Sequence, residues 1–127
     1  MVKVSLRHFI SATQLAIPVL LMVSAQLAWG FEAIADENVE SCVGRVCRIE
    51  GVVADIHTLK NKDTVLDFGH PAPHQTFTAV IAADAASQFQ FVQGYKGQRV
   101  RVTGLIKMRT GQLFTALDHP SQLASLE

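Results

Sequence analysis

The sequence predicts a small all-β domain with one short helix, in which five strands form a Greek-key barrel. Five segments have the pattern of short strands separated by turns, and the long first and fourth of them alternate between apolar and polar residues. The long first and fourth segments each carry a glycine near their middle, Gly51 and Gly104, where a strand can bulge or bend. This layout is that of the OB-fold barrel, and a five-stranded open sandwich is the alternative that the same strand spacing permits.

The predicted elements follow one another without long gaps from residue 46 to residue 118. In chain order they are the strands VCRIEGVVADIH, TVLDFG and TFTAVIAA, the helix DAASQFQF, and the strands QRVRVTGLIKMR and QLFTALD. Asp84 is a suitable N-cap for the helix. The connecting segments are polar or contain glycine or proline, as turns do.

The N-terminus has the layout of a secretory signal peptide. Basic residues precede an apolar stretch over residues 9–23, and small residues follow it. A membrane span needs about 20 continuous apolar residues, so we expect no stable span once the signal peptide is removed. The predicted signal peptide covers residues 1–25, with cleavage after Ala25 and with Gly30 or Ala35 as alternatives. It predicts a periplasmic or secreted protein.

The rest of the chain divides into three predicted parts: an acidic, partly ordered arm over residues 26–43, the OB-fold domain over residues 44–123, and a tail over residues 124–127. The whole chain carries 11 Lys and Arg and 11 Asp and Glu, for a net charge of +0. Residues 1–25 contain two of the basic residues and none of the acidic ones, which leaves a net charge of −2. This net charge excludes a positive electrostatic potential over the whole protein, so any nucleic-acid site must be a local cluster of basic residues.

Cys42 and Cys47 lie in the segment ESCVGRVCRIE. In an exported protein such a pair indicates a disulfide. Five residues of extended chain span roughly 16 Å, whereas bridged Cα atoms lie about 4.4–6.8 Å apart, so the bridge requires a turn, which Gly44 permits. The alternative is a buried Cys47 in the strand and a free Cys42 thiol near the surface.

The segment over residues 44–123 resembles a family of small exported bacterial proteins with OB-fold nucleic-acid-binding domains. The matching motifs are IEGVVADIH, LDFGHPAPHQTFTAVI, DAASQF, KGQRVRVTGLIKMRTG and DHPSQL. The resemblance implies an OB fold and nucleic-acid binding. Ala72, His74 and Met108 stand where the family usually has an aromatic residue, an amide and a tyrosine-like residue, which removes stacking surfaces.

A basic strand face is the candidate nucleic-acid site. Arg99 and Arg101 share one face of the fourth strand with Thr103. Single-strand binding combines such a positive face with aromatic platforms. The candidate residues are Arg48, Tyr95, Arg99, Arg101, Lys107, Arg109 and Phe114, with Lys60 and Lys62 as an extension of the surface. The alternative is an ordinary solvated face whose arginines pair with Glu50 and Asp55.

Four histidines are the candidates for a metal site, namely His57, His70, His74 and His119. Pro71 and Pro73 favour an extended, polyproline-like path that separates His70 from His74. We therefore interpret HPAPHQ as a rigid connector and expect neither a cofactor nor a metal ion.

Three functions remain open. The first is an exported OB-fold module that binds single-stranded nucleic acid or another anionic polymer. The second is an envelope protein-interaction or accessory module without nucleic-acid binding, and the third is a periplasmic metal-binding protein. The sequence has no nucleophile elbow or phosphate loop, so the protein is predicted not to be an enzyme.

Overall fold

Eight strands and four short 3-10 helices make up residues 32–127, the part of the chain that the computed structural model describes. The strands are β1 (Ala33–Ala35), β2 (Val46–Thr58), β3 (Thr64–Phe68), β4 (Phe77–Ile81), β5 (Arg99–Leu105), β6 (Lys107–Arg109), β7 (Gln112–Leu117) and β8 (Leu123–Ser125). The helices span Asp36–Cys42, Ala86–Gln88, Val92–Tyr95 and Pro120–Gln122. The predicted signal peptide lies outside the described residues.

The strand order is that of an OB-like Greek key. Strands β2, β3 and β4 form an antiparallel meander, β4 pairs in parallel with β7, and β5 pairs antiparallel with β2. The hydrogen-bonded path runs β6-β7-β4-β3-β2-β5-β8, with β1 parallel to β2. The inner faces of these strands enclose one core, in which the Phe68 and Phe77 ring centroids lie 5.4 Å apart.

The predicted closed barrel is wrong, because among the described residues no backbone pairing joins the two ends of this path. The predicted fourth strand divides at Ile106, which is fully buried and bridges to Val43 instead of continuing the ladder. At this point the Thr115 hydroxyl of β7 donates to the Leu105 carbonyl oxygen at 2.8 Å. This side-chain hydrogen bond therefore links β7 to the end of β5 beside the break.

The five predicted strands are present, and the fourth of them is divided into β5 and the shorter β6. The predicted helix over residues 84–91 is replaced by two 3-10 helices on either side of Phe91, whose positive φ of 61° interrupts helical geometry. The short strands β1 and β8 were not predicted. Strand β8 lies partly in the predicted tail and pairs with β5. No helix among the described residues is long and apolar enough to span a membrane.

Both mid-strand glycines allow close packing and do not mark a bulge. Gly51 pairs in regular register with Val100, and the one register shift of the β2–β3 pair lies between Val53 and Asp55. A Cβ atom on Gly51 would lie 2.7 Å from Oδ1 of Asp36, so only glycine lets the N-terminal segment dock here.

Residues 33–43 belong to the folded unit, whereas the sequence prediction began the domain at Gly44. Strand β1 pairs with β2, and the helix Asp36–Cys42 buries Val39 and Cys42 in the core. A disulfide joins Cys42 to Cys47, with their Cα atoms 6.2 Å apart. Gly44, with φ of +84°, makes the turn that brings them together.

Removing the disulfide is expected to lower the free energy of unfolding by about 2 kcal/mol, because the bond closes a short loop in the unfolded chain. The measurement is chemical denaturation of the wild-type protein and of Cys42→Ala/Cys47→Ala, each with and without reductant. Reductant should shift the midpoint of the wild type alone. A wild-type midpoint that ignores reductant would contradict a stabilising bridge.

Candidate nucleic-acid interface

The basic residues of the fourth predicted strand lie on the outer surface of β5 and β6. Arg99, Arg101 and Thr103 alternate with the fully buried Val100 and Val102. The alternation continues beyond Gly104, since Ile106 is buried and the side chains on either side of it are exposed. The alternation of buried and exposed side chains therefore continues from β5 into β6, and Lys107 and Arg109 lie on the same outer surface as Arg99 and Arg101.

A single carboxylate on the neighbouring strand contacts both Arg99 and Arg101. Glu50 of β2 stands directly opposite Arg101, and its Oε2 accepts from Arg101 Nε at 2.8 Å and from Arg101 Nη2 at 2.7 Å. Nη2 of Arg99 lies 3.6 Å from Oε1 of the same group. The hydrogen bond from Arg101 holds the pKa of Glu50 below its ordinary value. On this part of the surface, the paired face, Arg99 and Arg101 therefore share one carboxylate partner.

The lowered pKa of Glu50 predicts a pH-dependent contribution to stability. The contribution is complete above the ordinary pKa of 4.5 and is lost as the pH falls through the lower value of the folded state. Glu50→Gln should therefore lower the free energy of unfolding by about 1 kcal/mol at pH 7, and the difference should vanish in acid. Denaturant titrations across pH test this, with the exposed Glu37→Gln as the control. A pH-independent difference would contradict the ion pair as its cause.

The β6–β7 hairpin presents basic side chains beside an aromatic ring. Lys107 stands directly opposite Phe114, and Arg109 stands opposite Gln112. Phe114 is half-buried and Lys107 and Arg109 are exposed. Within residues 32–127, no carboxylate oxygen lies within 4.0 Å of the Lys107 or Arg109 nitrogens. The turn at residues 110–111 has positive φ at both positions, which suits a two-residue hairpin.

The loop between β2 and β3 carries two further exposed lysines, Lys60 and Lys62. Asp63 fixes the loop, because its backbone N–H donates to Asn61 Oδ1 at 3.0 Å and its Oδ1 accepts from the Ala83 N–H at 3.0 Å. OB-folds bind oligonucleotides with the loops that follow their first and fourth strands. The β2–β3 loop and the β6–β7 hairpin hold those two positions here.

The other predicted site residues are placed differently. Arg48 lies on the outer face of β2 opposite Thr103, so it belongs with Arg101 and not with the hairpin. Tyr95 is half-buried and packs against the core at the end of the helix Val92–Tyr95, so it stays a predicted stacking platform with part of its surface covered. The exposed aromatic residue of this region is Phe91, at 87% exposure. Sequence reasoning missed it, because a continuous helix was expected there.

The structure does not bring the four candidate histidines together. His70, His74 and His119 are exposed, and among the described residues they join no cluster of three metal-ligating side chains. The predicted extended path of HPAPHQ is wrong, since the His74 N–H donates to the Pro71 carbonyl oxygen at 3.0 Å and closes a turn across a cis Ala72–Pro73 bond.

His57 lies instead beside two carboxylates, Asp55 and Asp67. Asp67 is fully buried, and this burial raises the pKa of its carboxyl group. A hydrogen bond from Lys96 lowers the pKa of Asp55. The sequence does not show that these aspartates meet, because their contact depends on the pairing of β2 with β3.

No protein-family model and no curated protein matches this sequence. Among solved structures the chain is similar to a "putative aspartyl-tRNA synthetase" from Leishmania major Friedlin, with 7% sequence identity over 75% of this chain and 20% of that chain and a TM-score of 0.52. It is also similar to an asparaginyl-tRNA synthetase from Pyrococcus horikoshii, with 16% identity over 76% of this chain and 23% of that chain and a TM-score of 0.50.

The chain thus spans about a fifth of the length of these synthetases. The likeness shows a shared β fold. It agrees with the OB-like strand order described above, while membership of the exported bacterial family stays a prediction.

Proposed function

We propose that this protein is a binding module for single-stranded nucleic acid and that the β6–β7 hairpin and the β2–β3 loop make the contacts. The observation that carries the proposal is the hairpin surface, where Lys107 and Arg109, which form no ion pair with any described residue, adjoin Phe114. The two cations would hold backbone phosphates, and Phe114 would stack on a base, a contact worth about 1–3 kcal/mol. Lys60 and Lys62 would extend the path of the strand.

Arg48, Arg99 and Arg101 are secondary in this proposal. Glu50 already accepts a hydrogen bond from Arg101 and lies 3.6 Å from Arg99, so a phosphate would have to compete with a carboxylate at 2.7 Å from Arg101. A phosphate at the hairpin meets no such competitor among the described residues. The proposed site is therefore smaller than the basic strand face that the sequence predicts.

Two further observations support the proposed function and the proposed location. The solved structures with the same fold are named as tRNA synthetases, enzymes whose name includes a nucleic-acid substrate. The Cys42–Cys47 disulfide is typical of an oxidising compartment, which supports the proposed periplasmic or secreted location. We propose a binding module rather than an enzyme.

Fluorescence anisotropy with a labelled single-stranded oligonucleotide tests the proposal. The titration is repeated from about 50 to 200 mM salt, where phosphate contacts lose affinity steeply. We expect micromolar or tighter binding at the lowest salt and a linear loss of log affinity with log salt. Absence of binding at low salt would refute the function.

A protein-interaction module is the second candidate, and exposed apolar side chains favour it. Val46 is 70% exposed and stands opposite Leu105, which is 42% exposed; Val43 is also 42% exposed. The variant Val46→Ser separates the candidates, because it leaves the basic hairpin intact. Under the nucleic-acid proposal Val46→Ser keeps wild-type affinity for the oligonucleotide.

A further inference from the structure

A β-bulge in β2 directs Asp55 toward the outer face of the sheet. Val53 is fully buried in the core and pairs with Phe68, whereas Asp55 pairs with Asp67, so two steps along β2 match one step along β3. Strict alternation would have placed Asp55 on the core face with Val53. The extra residue, Ala54, reverses the side-chain direction, which is how bulges re-aim side chains at binding sites. Asp55 and Asp67 are thereby brought opposite each other.

His57 completes a group of three ligand atoms. Its Nδ1 lies 3.4 Å from Oδ2 of Asp67 and 3.8 Å from Oδ2 of Asp55. The ligand atoms of the three side chains all lie within 4.8 Å of one another. Ligands of a tetrahedral zinc ion lie about 3.4 Å apart, given metal–ligand bonds of about 2.0–2.2 Å. The three groups therefore need only small shifts to hold one ion.

Asp67 supplies an independent indication of a ligand. Its side chain is 1% exposed, and its Oδ2 accepts no hydrogen bond from the described residues. Oδ1 of the same carboxyl receives the Thr78 hydroxyl at 3.5 Å. A buried carboxylate oxygen without a donor is costly and calls for an explanation. Because this oxygen faces His57 Nδ1, a cation between the two residues would satisfy it.

The Lys96 ammonium group would compete with a metal ion for the carboxylate of Asp55. Its Nζ lies 3.3 Å from Oδ1 of Asp55, while Oδ2 of Asp55 is the oxygen that faces His57. The two oxygens of Asp55 therefore have separate roles. The ion pair with Lys96 orients the carboxylate, and Oδ2 stays directed toward the ring.

We propose that Asp55, His57 and Asp67 form a binding site for one divalent transition-metal ion of the zinc class. Two carboxylates and an imidazole suit such an ion, whereas Mg²⁺ and Ca²⁺ prefer oxygen ligands throughout. The side chains of Asp55 and His57 are 34% and 36% exposed, so a fourth ligand position would face solvent. Three protein ligands with an open position are typical of zinc sites that bind water or a substrate.

Isothermal titration calorimetry with ZnCl₂, on chelator-treated protein with its disulfide intact, tests the proposal. We expect one ion per chain, and no displacement by excess Mg²⁺. His57→Ala and the isosteric Asp67→Asn should each weaken zinc binding at least tenfold. His74→Ala, an exposed loop histidine, is the matched control and should bind as the wild type does. Circular dichroism of each variant in chelator confirms that it is folded.

The Co²⁺ complex provides a second readout, because a tetrahedral site gives visible absorption that His57→Ala should abolish. Zinc binding that survives both His57→Ala and Asp67→Asn would be adventitious and would overturn the proposal. Absence of zinc binding by the wild type would overturn it as well. Oligonucleotide binding does not depend on these side chains, so its failure and the failure of the metal site can be distinguished.

Discussion

Replacing Lys107 and Arg109 together by alanine lowers the affinity for a single-stranded oligonucleotide by about tenfold or more at 50 mM salt. The double variant removes two phosphate contacts, and each contact contributes about 0.7 to the slope of log affinity against log salt. The slope should therefore fall by roughly 1.4. Anisotropy titrations across salt measure both quantities. Lys107 and Arg109 are both exposed, so the substitutions remove no buried contact of the hairpin.

A second double variant for comparison is Arg101→Gln/Glu50→Gln, which removes the ion pair at 2.7 Å and the Glu50 partner of Arg99 and leaves the net charge unchanged. We expect its affinity to stay within about twofold of the wild type, because Arg101 already has its partner. A large loss in this second variant with no loss in the hairpin variant would move the site to the β2–β5 face.

Gly104→Ala is expected to destabilise the fold by about 3 kcal/mol, the upper end of the range for overpacking a core. A Cβ atom at this position would lie 2.3 Å from Thr115 Oγ1, and that hydroxyl is fixed by its hydrogen bond to the Leu105 carbonyl oxygen. Thr115 is fully buried and β-branched, so it has little freedom to move. Chemical denaturation measures the loss.

Two further variants attribute this loss to the contact. In Gly94→Ala the new Cβ atom has nothing within 4 Å, so stability should change by less than about 0.5 kcal/mol. Thr115→Ala removes Oγ1 and leaves Cβ of residue 115 and Nε2 of Gln122 at 3.5 Å from the new atom, so Gly104→Ala/Thr115→Ala should be more stable than Gly104→Ala alone. If the two substitutions are instead additive, the close approach is not the cause.

The five main strands could be predicted because the long first and fourth strands alternate with a period of two, the others are short runs rich in apolar and β-branched residues, and each ends at a turn. The break at Ile106 could not, since it depends on a bridge to Val43 and on the Thr115 hydroxyl. The helix Asp36–Cys42 lacked any periodic signal, and its packing follows from Val39 and Cys42 filling the core.

The residue types of the candidate site were visible in the sequence, and their partners were not. Arg101 meets Glu50 only through the register of strands β2 and β5, which lie about 50 residues apart in the chain. The cluster of Asp55, His57 and Asp67 depends on one extra residue in β2. Local pattern therefore predicts which face a side chain occupies, and long-range pairing decides whether its charge is free.

Chemical-shift mapping tests the central claim most directly. The isotope-labelled protein is titrated with an unlabelled single-stranded oligonucleotide, and the backbone amide shifts are followed residue by residue. Shifts that cluster on residues 107–114 and on the loop at residues 59–63 are the predicted result. Shifts that cluster on the paired face around Glu50 and Arg101, or no shifts at low salt, would contradict the account.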